Sequence, residues 1–515
     1  MRTLKTTLAF LLVISAVALP TGAASAAEPT IEHATVTNPN DGTVIAITVF
    51  KPAKASPARR APVVLHSHGW AGSRSTSGFG EFMAAGMGVV SIDQRGHGES
   101  GGEANVQDPD LEAEDISAVI DYVAKLNWVA HDLDRRGRAI PNDPVLGAIG
   151  GSYGGGYQTI TALDETAETG RTRFNALAPE ITWYDLPHSL APNKVTRTVW
   201  NVALYAVGAA NVPTWIHEAF AWGATTGQWP DGTVLGEPVP GVPDIDSVFH
   251  EHSPVAFVER GVRINVPVMY RQGISDNLFN LNQGLDIFNK ALTPQARKHS
   301  YFVGYNGGHV LPNVLPMGTA AGDDACSPKG DFTALTIKFF KRVFARSSTA
   351  GLMPGRYNLT TVDGERCLRM NSIGRGVTVP VEGPAGDVVA VSGPGAPLHL
   401  EVAQGPITVS GVPTLKGVRT ALGVDARAFL GLSIGTSPAD AMVLTNNLMP
   451  MRVALPVQDE AFSLDLTGVS VVVPEGQSLF LTLTPVSDLF IGHGSKVPAG
   501  WVLSDLQLRL PSPGK

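Results

Sequence analysis

The sequence has little cysteine and little charge. Among 515 residues there are only two cysteines, Cys326 and Cys367, so at most one disulfide can form within the chain. Charged residues make up 16%, against about 25% in an average globular protein. Because hydrophobic residues reach 43%, a disordered or heavily solvated chain is excluded. At roughly 150 residues per domain, the length indicates about three domains.

A surplus of positive charge is also missing. The chain has 38 basic and 46 acidic residues, a net charge of −8, without a basic patch of the density that phosphate neutralisation requires. We therefore expect no nucleic-acid partner. Glycine (56) and proline (38) are abundant but follow no triplet period, which excludes collagen and predicts many turns.

Long hydrophobic runs are confined to the N terminus. Arg2 and Lys5 precede an apolar run from Leu8 to Leu19, and small residues follow at 24–26, which is the pattern of a signal peptide over residues 1–27. The run is shorter than the roughly 20 apolar residues of a membrane-spanning helix. We therefore expect a secreted or extracytoplasmic protein without a membrane span.

The two cysteines both lie in the part of the chain that would be exported. On the oxidising side of the membrane, Cys326 and Cys367 form either one disulfide or two buried thiols in separate domains. The sequence leaves both alternatives open.

Short apolar runs alternate with helical patterns from residue 61 onward. Segments such as PVVLH and VLGAIG are typical of strands buried on both faces, and Asp110 to Leu126 has apolar residues at helical spacing. This alternation predicts an α/β catalytic domain with a mostly parallel sheet over residues 28–350, interrupted by a helical cap at 185–262. Residues 351–515 are rich in Val, Leu, Thr, Gly and Pro, which predicts an all-β sandwich or jelly roll.

The pattern G-x-S-x-G occurs twice. Gly150 to Gly154 places Ser152 between a buried apolar run and a segment with helical pattern, as in the nucleophile elbow, where a sharp strand-to-helix turn exposes the serine oxygen. Gly431 to Gly435 places Ser433 among predicted sandwich strands, without a parallel strand-helix unit. We interpret Ser152 as a catalytic nucleophile and Ser433 as a structural residue.

Two further segments supply the partners that a nucleophilic serine needs. Asp276 follows a buried strand and is the candidate that orients a histidine. His309 follows two glycines and is the candidate general base and acid. The chain order Ser152, Asp276, His309 is that of α/β-hydrolases.

An oxyanion hole is predicted from two backbone N–H groups. The loop His66-Ser67-His68-Gly69-Trp70 ends an early strand, so the Trp70 N–H lies where it could meet the developing oxyanion, and the Tyr153 N–H follows the nucleophile. His66 and His68 are interpreted as loop packing, because two alternating histidines are too few for a metal site.

The predicted cap is rich in tryptophan. Five of the eight tryptophans lie between residues 183 and 229, and one or two of them are expected to face substrate above Ser152. The candidates for the substrate pocket are Trp183, Trp215 and Trp222.

Taken together, these motifs resemble a known family. HSHGW, DQRGHGES, GGSYGGG, GISDNLFNLNQ and GGH, followed by a β-rich region, are similar to the X-Pro dipeptidyl-peptidase and cocaine-esterase-type (CocE/NonD-like) hydrolases. The resemblance implies an α/β-hydrolase core with a Ser152–Asp276–His309 triad, a helical cap, a jelly-roll domain and the Tyr153 N–H as oxyanion donor. Members of this family often use a tyrosine hydroxyl as the second donor. HSHGW has no tyrosine, which leaves the Trp70 N–H.

These observations predict a serine hydrolase that cleaves a small-molecule ester or an X-Pro-type peptide or amide bond through an acyl-enzyme, without metal or organic cofactor. A dipeptidyl-peptidase would also bind a free N-terminal ammonium, for which the cap carboxylates Asp185 and Glu218 are candidates. One alternative is a general carboxylesterase or polyester hydrolase without peptidase activity. Another is a surface or glycan-binding module with a vestigial hydrolase domain. The sequence does not indicate an oligomeric state.

Overall fold

The structure is a computed structural model that describes residues 28–309, 324–326, 332–383, 386–391 and 396–514. The predicted signal peptide, residues 1–27, lies outside the described residues. Within these ranges, no helix is long and apolar enough to cross a membrane.

The first part of the chain alternates strands and helices as predicted. Its strands are β1 (Thr30–Thr37), β2 (Val44–Lys51), β3 (Val63–Ser67), β4 (Gly88–Ile92), β5 (His131–Leu133), β6 (Ala139–Pro144), β7 (Leu146–Gly151) and β8 (Ala176–Glu180). Its helices are α1 (Gly80–Ala84), α2 (Glu114–Lys125) and α3 (Tyr153–Thr169). Helix α2 forms because Ile116, Val119, Ile120 and Val123 recur at helical spacing, and all four are buried.

A helical insertion follows β8. It contains α4 (Leu186–Leu190), α5 (Thr198–Gly208), α6 (Thr214–Thr226), a small hairpin of β9 (Thr233–Val234) and β10 (Glu237–Pro238), α7 (Ile245–Glu251) and α8 (Pro254–Glu259). These elements lie within the cap predicted for residues 185–262. The chain then returns to the sheet.

The returning chain completes the large sheet. It forms β11 (Met269–Gly273), α9 (Leu281–Asp286), α10 (Pro294–Lys298), β12 (Tyr301–Tyr305), α11 (Phe332–Phe344), β13 (Tyr357–Thr360) and β14 (Cys367–Met370). The ten strands have the order β1-β2-β4-β3-β7-β8-β11-β12-β13-β14. The seven neighbouring strands β4, β3, β7, β8, β11, β12 and β13 run parallel to one another. All five residues of β4 are buried, as expected for a strand covered on both faces.

The remaining strands form an all-β region. They are β15 (Ser372–Pro380), β16 (Val388–Val391), β17 (Leu398–Gln404), β18 (Ile407–Gly411), β19 (Thr414–Leu422), β20 (Ala426–Gly435), β21 (Met442–Val443), β22 (Met449–Val453), β23 (Val457–Asp465), β24 (Val469–Val473), β25 (Ser478–Thr484) and β26 (Gly500–Gly514). Two five-stranded antiparallel sheets are built around β26 and β25, and β18 pairs with β24. The fold is therefore an α/β-hydrolase with an all-β C-terminal domain, as predicted.

The boundary between the two parts differs from the predicted one. We expected the β-rich domain to begin at residue 351, but β13 pairs with β12, and β14 pairs with β13, inside the large sheet. The separate β sheets begin only at β15. The composition of residues 357–370 could not assign these two strands to the large sheet, because apolar and polar residues are mixed in them as they are in strands of the next domain.

The two cysteines are joined in a disulfide. Cys367 is the first residue of the edge strand β14, and the Cys326 N–H donates to the Thr360 hydroxyl on the neighbouring strand β13 at 3.0 Å. Of the two alternatives that the sequence left open, the structure has the disulfide.

Replacing both cysteines by serine is expected to lower the free energy of unfolding by about 3–4 kcal/mol, because the bond closes a loop with a sequence separation of 41 residues. Urea denaturation of wild type and double variant measures the difference. Wild type treated with dithiothreitol should lose the same amount, whereas the double variant should not respond. Two thiols that react with Ellman's reagent in the untreated folded protein would contradict the pairing.

Candidate active site

Ser152 lies on a tight turn between β7 and α3. Its backbone has φ 57° and ψ −121°, a conformation that a residue other than glycine adopts only where the surroundings enforce it. The turn is closely packed: a Cβ on Gly150 would lie 2.4 Å from the Gly154 carbonyl oxygen, and one on Gly154 would lie 2.5 Å from that of Ser67. The glycines of the motif are therefore required by this turn, which projects the Ser152 side chain from the carboxyl end of the sheet.

Asp276 and His309 reach Ser152 from the ends of two neighbouring strands. His309 Nε2 is 3.0 Å from Ser152 Oγ, and His309 Nδ1 is 2.8 Å from Asp276 Oδ2. The loops after β11 and β12 pass very close to each other, since a Cβ on Gly308 would lie 2.7 Å from Asp276 Oδ2. The three residues predicted as a triad are thus connected by hydrogen bonds in the predicted order.

The Asp276 carboxylate is fully buried and held in place by backbone donors. Its Oδ1 accepts hydrogen bonds from the N–H groups of Leu278 (2.8 Å) and Phe279 (2.9 Å), which leaves Oδ2 for His309. Since Oδ2 accepts the proton of Nδ1, neutral His309 has its lone pair on Nε2, directed at the Ser152 hydroxyl.

Burial lowers the pKa of His309. The negative charge and hydrogen bond of Asp276, together with the charge of Glu180, raise the pKa by more than burial lowers it, so it lies above the ordinary value of 6.5. The ring is also confined by aromatic neighbours. Phe279 and Trp200 each meet it edge to face, at centroid distances of 5.4 and 5.6 Å. The imidazole is therefore a stronger base than a free histidine and has little freedom to turn.

The C-terminal domain supports the Asp276 loop, which the sequence did not indicate. Asn447 Nδ2 donates to the Asp276 carbonyl oxygen at 2.8 Å, and the buried Arg197 of the cap donates to the Asn277 carbonyl oxygen. A single sequence has no signal that links Asn447 to a residue 171 positions away. The contacts suggest that the β-rich domain helps to position the aspartate.

Trp70 and Tyr153 lie side by side next to the turn that carries Ser152. Tyr153 is the first residue of α3, where backbone N–H groups have no partner within the helix. No acceptor in the described part of the chain takes the Trp70 N–H. Gly69 is close to the nucleophile, because a Cβ on it would lie 3.9 Å from Ser152 Cβ. The two residues thus lie on either side of the nucleophile turn, and the role of their N–H groups as oxyanion donors stays a prediction.

The Trp70 side chain connects its loop to the cap. The indole Nε1 donates to the Leu204 carbonyl oxygen of α5 at 2.9 Å, and the ring meets that of Tyr153 edge to face at 5.1 Å. A Cβ on Gly208, also in α5, would lie 2.5 Å from the indole. Cap helix and loop therefore fit together without free space.

Ser152 opens into an apolar cavity of about 200 Å³ beneath the cap. Its aromatic walls are Trp70, Tyr153, Trp183, Tyr205, Phe220, Trp229, Phe249 and Phe279. Of the predicted pocket residues, only Trp183 lines the cavity. Trp215 and Trp222 do not line the cavity. The face of α6 that lines it includes Ile216, Ala219, Phe220 and Gly223, and each of the two tryptophans lies about 100° away from that face around the helix axis.

The other residues considered from sequence have structural contacts. The His66 ring meets the Ser91 hydroxyl at 2.9 Å, and His68 Nε2 accepts the Gln94 N–H at 3.1 Å. Ser433 is fully buried within β20 and hydrogen-bonds the Thr482 hydroxyl. The second G-x-S-x-G is thus part of a sheet.

Comparison with known proteins places residues 41–310, just over half of the chain, in the family described as X-Pro dipeptidyl-peptidase (S15 family). The protein YcjY of Escherichia coli (strain K12) is 31% identical over 134 residues. This match covers 25% of the present chain and 40% of the length of YcjY.

Solved structures share the whole architecture at low identity. A CocE/NonD family hydrolase from Staphylococcus aureus aligns over 93% of both chains with a TM-score of 0.63 and 13% identity. An aminopeptidase from a marine sediment Thaumarchaeota archaeon covers 94% of this chain and 96% of its own (TM-score 0.60, 14% identity). An α-amino acid ester hydrolase covers 95% and 97% (TM-score 0.59, 14% identity). At such identities these likenesses show the fold alone.

Proposed function

The chain belongs to the X-Pro dipeptidyl-peptidase (S15) family of hydrolases, and on that premise we propose that it is a serine hydrolase that works through an acyl-enzyme on Ser152. The observation that carries the proposal is the hydrogen-bonded series Asp276–His309–Ser152. Its substrates would be small carboxylic esters or peptide-type amides.

In the first half of the reaction, His309 Nε2 takes the proton of Ser152 Oγ while the oxygen attacks the substrate carbonyl carbon. Asp276 stabilises the imidazolium without taking its proton. His309 then protonates the leaving group, and the C–O or C–N bond breaks to leave the acyl-enzyme. In the second half, water is deprotonated by His309 and attacks the ester, which releases the acid and restores Ser152.

The negative charge that develops on the carbonyl oxygen needs donors that are already in place. The N–H groups of Trp70 and Tyr153 are the proposed pair, and such donors are typically worth 10²–10³-fold in kcat each. The indole Nε1 of Trp70 is not available for this role, since it is bonded to Leu204.

Gly208→Ala tests whether the cap holds the Trp70 donor in position. The new methyl group would displace the indole and with it the loop that carries the Trp70 N–H, so we expect kcat to fall roughly 10–100-fold with a smaller change in KM. Gly80→Ala is the matched control, because a Cβ there meets nothing within 4 Å. Adding Trp70→Phe removes the atoms that clash and should restore part of kcat. An unchanged kcat in Gly208→Ala would contradict this role for the cap.

Export is part of the proposal. It is supported by the signal-peptide pattern of residues 1–27 and by the disulfide between Cys326 and Cys367, a bond that persists in oxidising compartments.

Partitioning experiments test the acyl-enzyme directly. The p-nitrophenyl and phenyl esters of one acid should give the same ratio of methyl ester to free acid when hydrolysed in dilute methanol, because both pass through the same acyl-Ser152. A ratio that depends on the leaving group, with Ser152→Ala equally active, would show that no common intermediate forms on this residue.

A further inference from the structure

The cavity above Ser152 is lined without charged side chains. None of the described residues that line it is Asp, Glu, Lys or Arg. The wall consists of aromatic and aliphatic side chains, with Thr196, Thr198, Asn201, Gln228 and His493 as the polar exceptions beside Ser152. A ligand that enters this space loses water without gaining an ionic partner.

The polar groups of the wall are uncharged, and Gln228 is bonded to protein at both ends. Gln228 Nε2 donates to Asp425 at 3.0 Å, and its Oε1 accepts from Arg452 at 3.0 Å. Asn201 is fixed by its Nδ2, which donates to the carbonyl oxygens of Leu190 (2.8 Å) and Arg197 (3.0 Å). None of these side chains can form an ion pair with a substrate cation.

His493, which the β-rich domain contributes to the cavity wall, is neutral. Burial and the nearby Arg427 lower the pKa of His493 to about 4. Because the Arg427 guanidinium faces His493 Nδ1 at 3.3 Å and has only donors, Nδ1 is the acceptor and Nε2 carries the hydrogen. The wall therefore offers no negative charge at this end either.

Two carboxylates just behind the wall are paired with cations. Arg427 and Arg452 share the carboxylate of Asp425. Asp246, which accepts the Trp229 indole N–H, forms an ion pair with Lys194. Neither Asp425 nor Asp246 is therefore left without a cationic partner for an ammonium ion to take, and burying an unpaired charge is costly.

The two cap carboxylates predicted to bind an N-terminal ammonium lie elsewhere. Asp185 accepts the His188 N–H at 3.0 Å as the N-cap of α4. Glu218 is exposed on α6. Neither lines the cavity.

We propose that this cavity selects esters of uncharged, largely apolar acids, with an aromatic or aliphatic acyl group under the cap, and discriminates against acyl groups that carry a free α-ammonium. The inference rests on the proposed function, since it assumes that the acyl group is transferred to Ser152. It separates this chain from enzymes that release dipeptides from a free N terminus.

A matched pair of substrates tests the selectivity. The p-nitrophenyl esters of 3-phenylpropanoic acid and of phenylalanine differ only in the α-ammonium. After each rate is divided by the spontaneous hydrolysis rate of that ester, we expect the uncharged ester to have at least a tenfold higher kcat/KM. A smaller preference, or a preference for the phenylalanine ester, overturns the inference. Rates that are the same in Ser152→Ala would instead overturn the proposed function, and the inference with it.

A charge placed in the wall should reverse part of the preference. Val202 lines the cavity from α5 and is 50% exposed, so we expect Val202→Asp to add a carboxylate without disturbing the core. It should lower the preference for the uncharged ester at least threefold. Val207→Asp is the matched control, since Val207 lies on the same helix, is 62% exposed and does not line the cavity. Equal preferences in both variants and in wild type would contradict the assignment of this cavity as the acyl site.

Discussion

Replacing Ser152 by alanine is expected to lower kcat by about a millionfold while KM changes little. The alanine lacks the oxygen that forms the acyl-enzyme, and removal of a triad nucleophile in other serine hydrolases has an effect of this size. The residual rate would reflect the oxyanion donors and substrate binding alone. Steady-state hydrolysis of a p-nitrophenyl ester by wild type and variant measures the ratio.

The chain contains its own control for this substitution. Ser433→Ala alters a serine in the same G-x-S-x-G pattern, but Ser433 is buried in a strand and bonded to Thr482. It should leave kcat unchanged and affect stability only. If Ser152→Ala retained a tenth of the wild-type activity, the role assigned to Ser152 would be wrong.

Replacing Asp276 by asparagine is expected to lower kcat by about 10⁴-fold. The amide is nearly the same size and keeps an acceptor for the Leu278 and Phe279 N–H groups, but it has no charge to stabilise the imidazolium and can hold His309 in the wrong tautomer. Asp244→Asn is a suitable control, because Asp244 lies outside the triad, among the described residues its side chain bonds only Ser247 at the start of α7, and asparagine caps helices equally well. A loss of less than tenfold in Asp276→Asn would contradict the orienting role.

The same substitution should move the acidic limb of the pH profile. His309 acts as a base only when neutral, so kcat/KM falls as the pH decreases through its pKa, which lies above 6.5 in wild type. Since the charge of Asp276 contributes to raising this pKa, the limb should shift to lower pH in Asp276→Asn. A limb that stays in place would mean that another group controls the profile.

The sequence predicted the parts of the site that short motifs carry. Ser152, Asp276 and His309 each follow a strand of the sheet, Ser152 and His309 at glycine-rich turns, and parallel strands bring their carboxyl ends to one edge of the sheet. The distinction between Ser152 and Ser433 also followed from context, since only the first lies in a strand-helix unit.

Other features of the site depend on how distant segments of the chain pack against each other. A single sequence has no pattern from which that packing can be predicted. Trp215 and Trp222 were predicted as pocket residues but do not line the cavity, because the count of tryptophans left the rotation of α6 undetermined. Asn447 at the Asp276 loop and His493 in the cavity wall come from the β-rich domain, and no local pattern links them to the triad. Strands β13 and β14 were assigned to the β-rich domain because composition alone does not show that β13 pairs with β12 in the large sheet.

The most direct measurement of the central claim is covalent labelling of the nucleophile. A fluorophosphonate probe should react with one residue per folded chain, and tandem mass spectrometry of the digested protein should place the adduct on Ser152. Labelling should disappear in Ser152→Ala and persist in Ser433→Ala. An adduct on any other residue, or full hydrolytic activity in protein that the probe does not label, would contradict the assignment of Ser152, Asp276 and His309 as the catalytic triad.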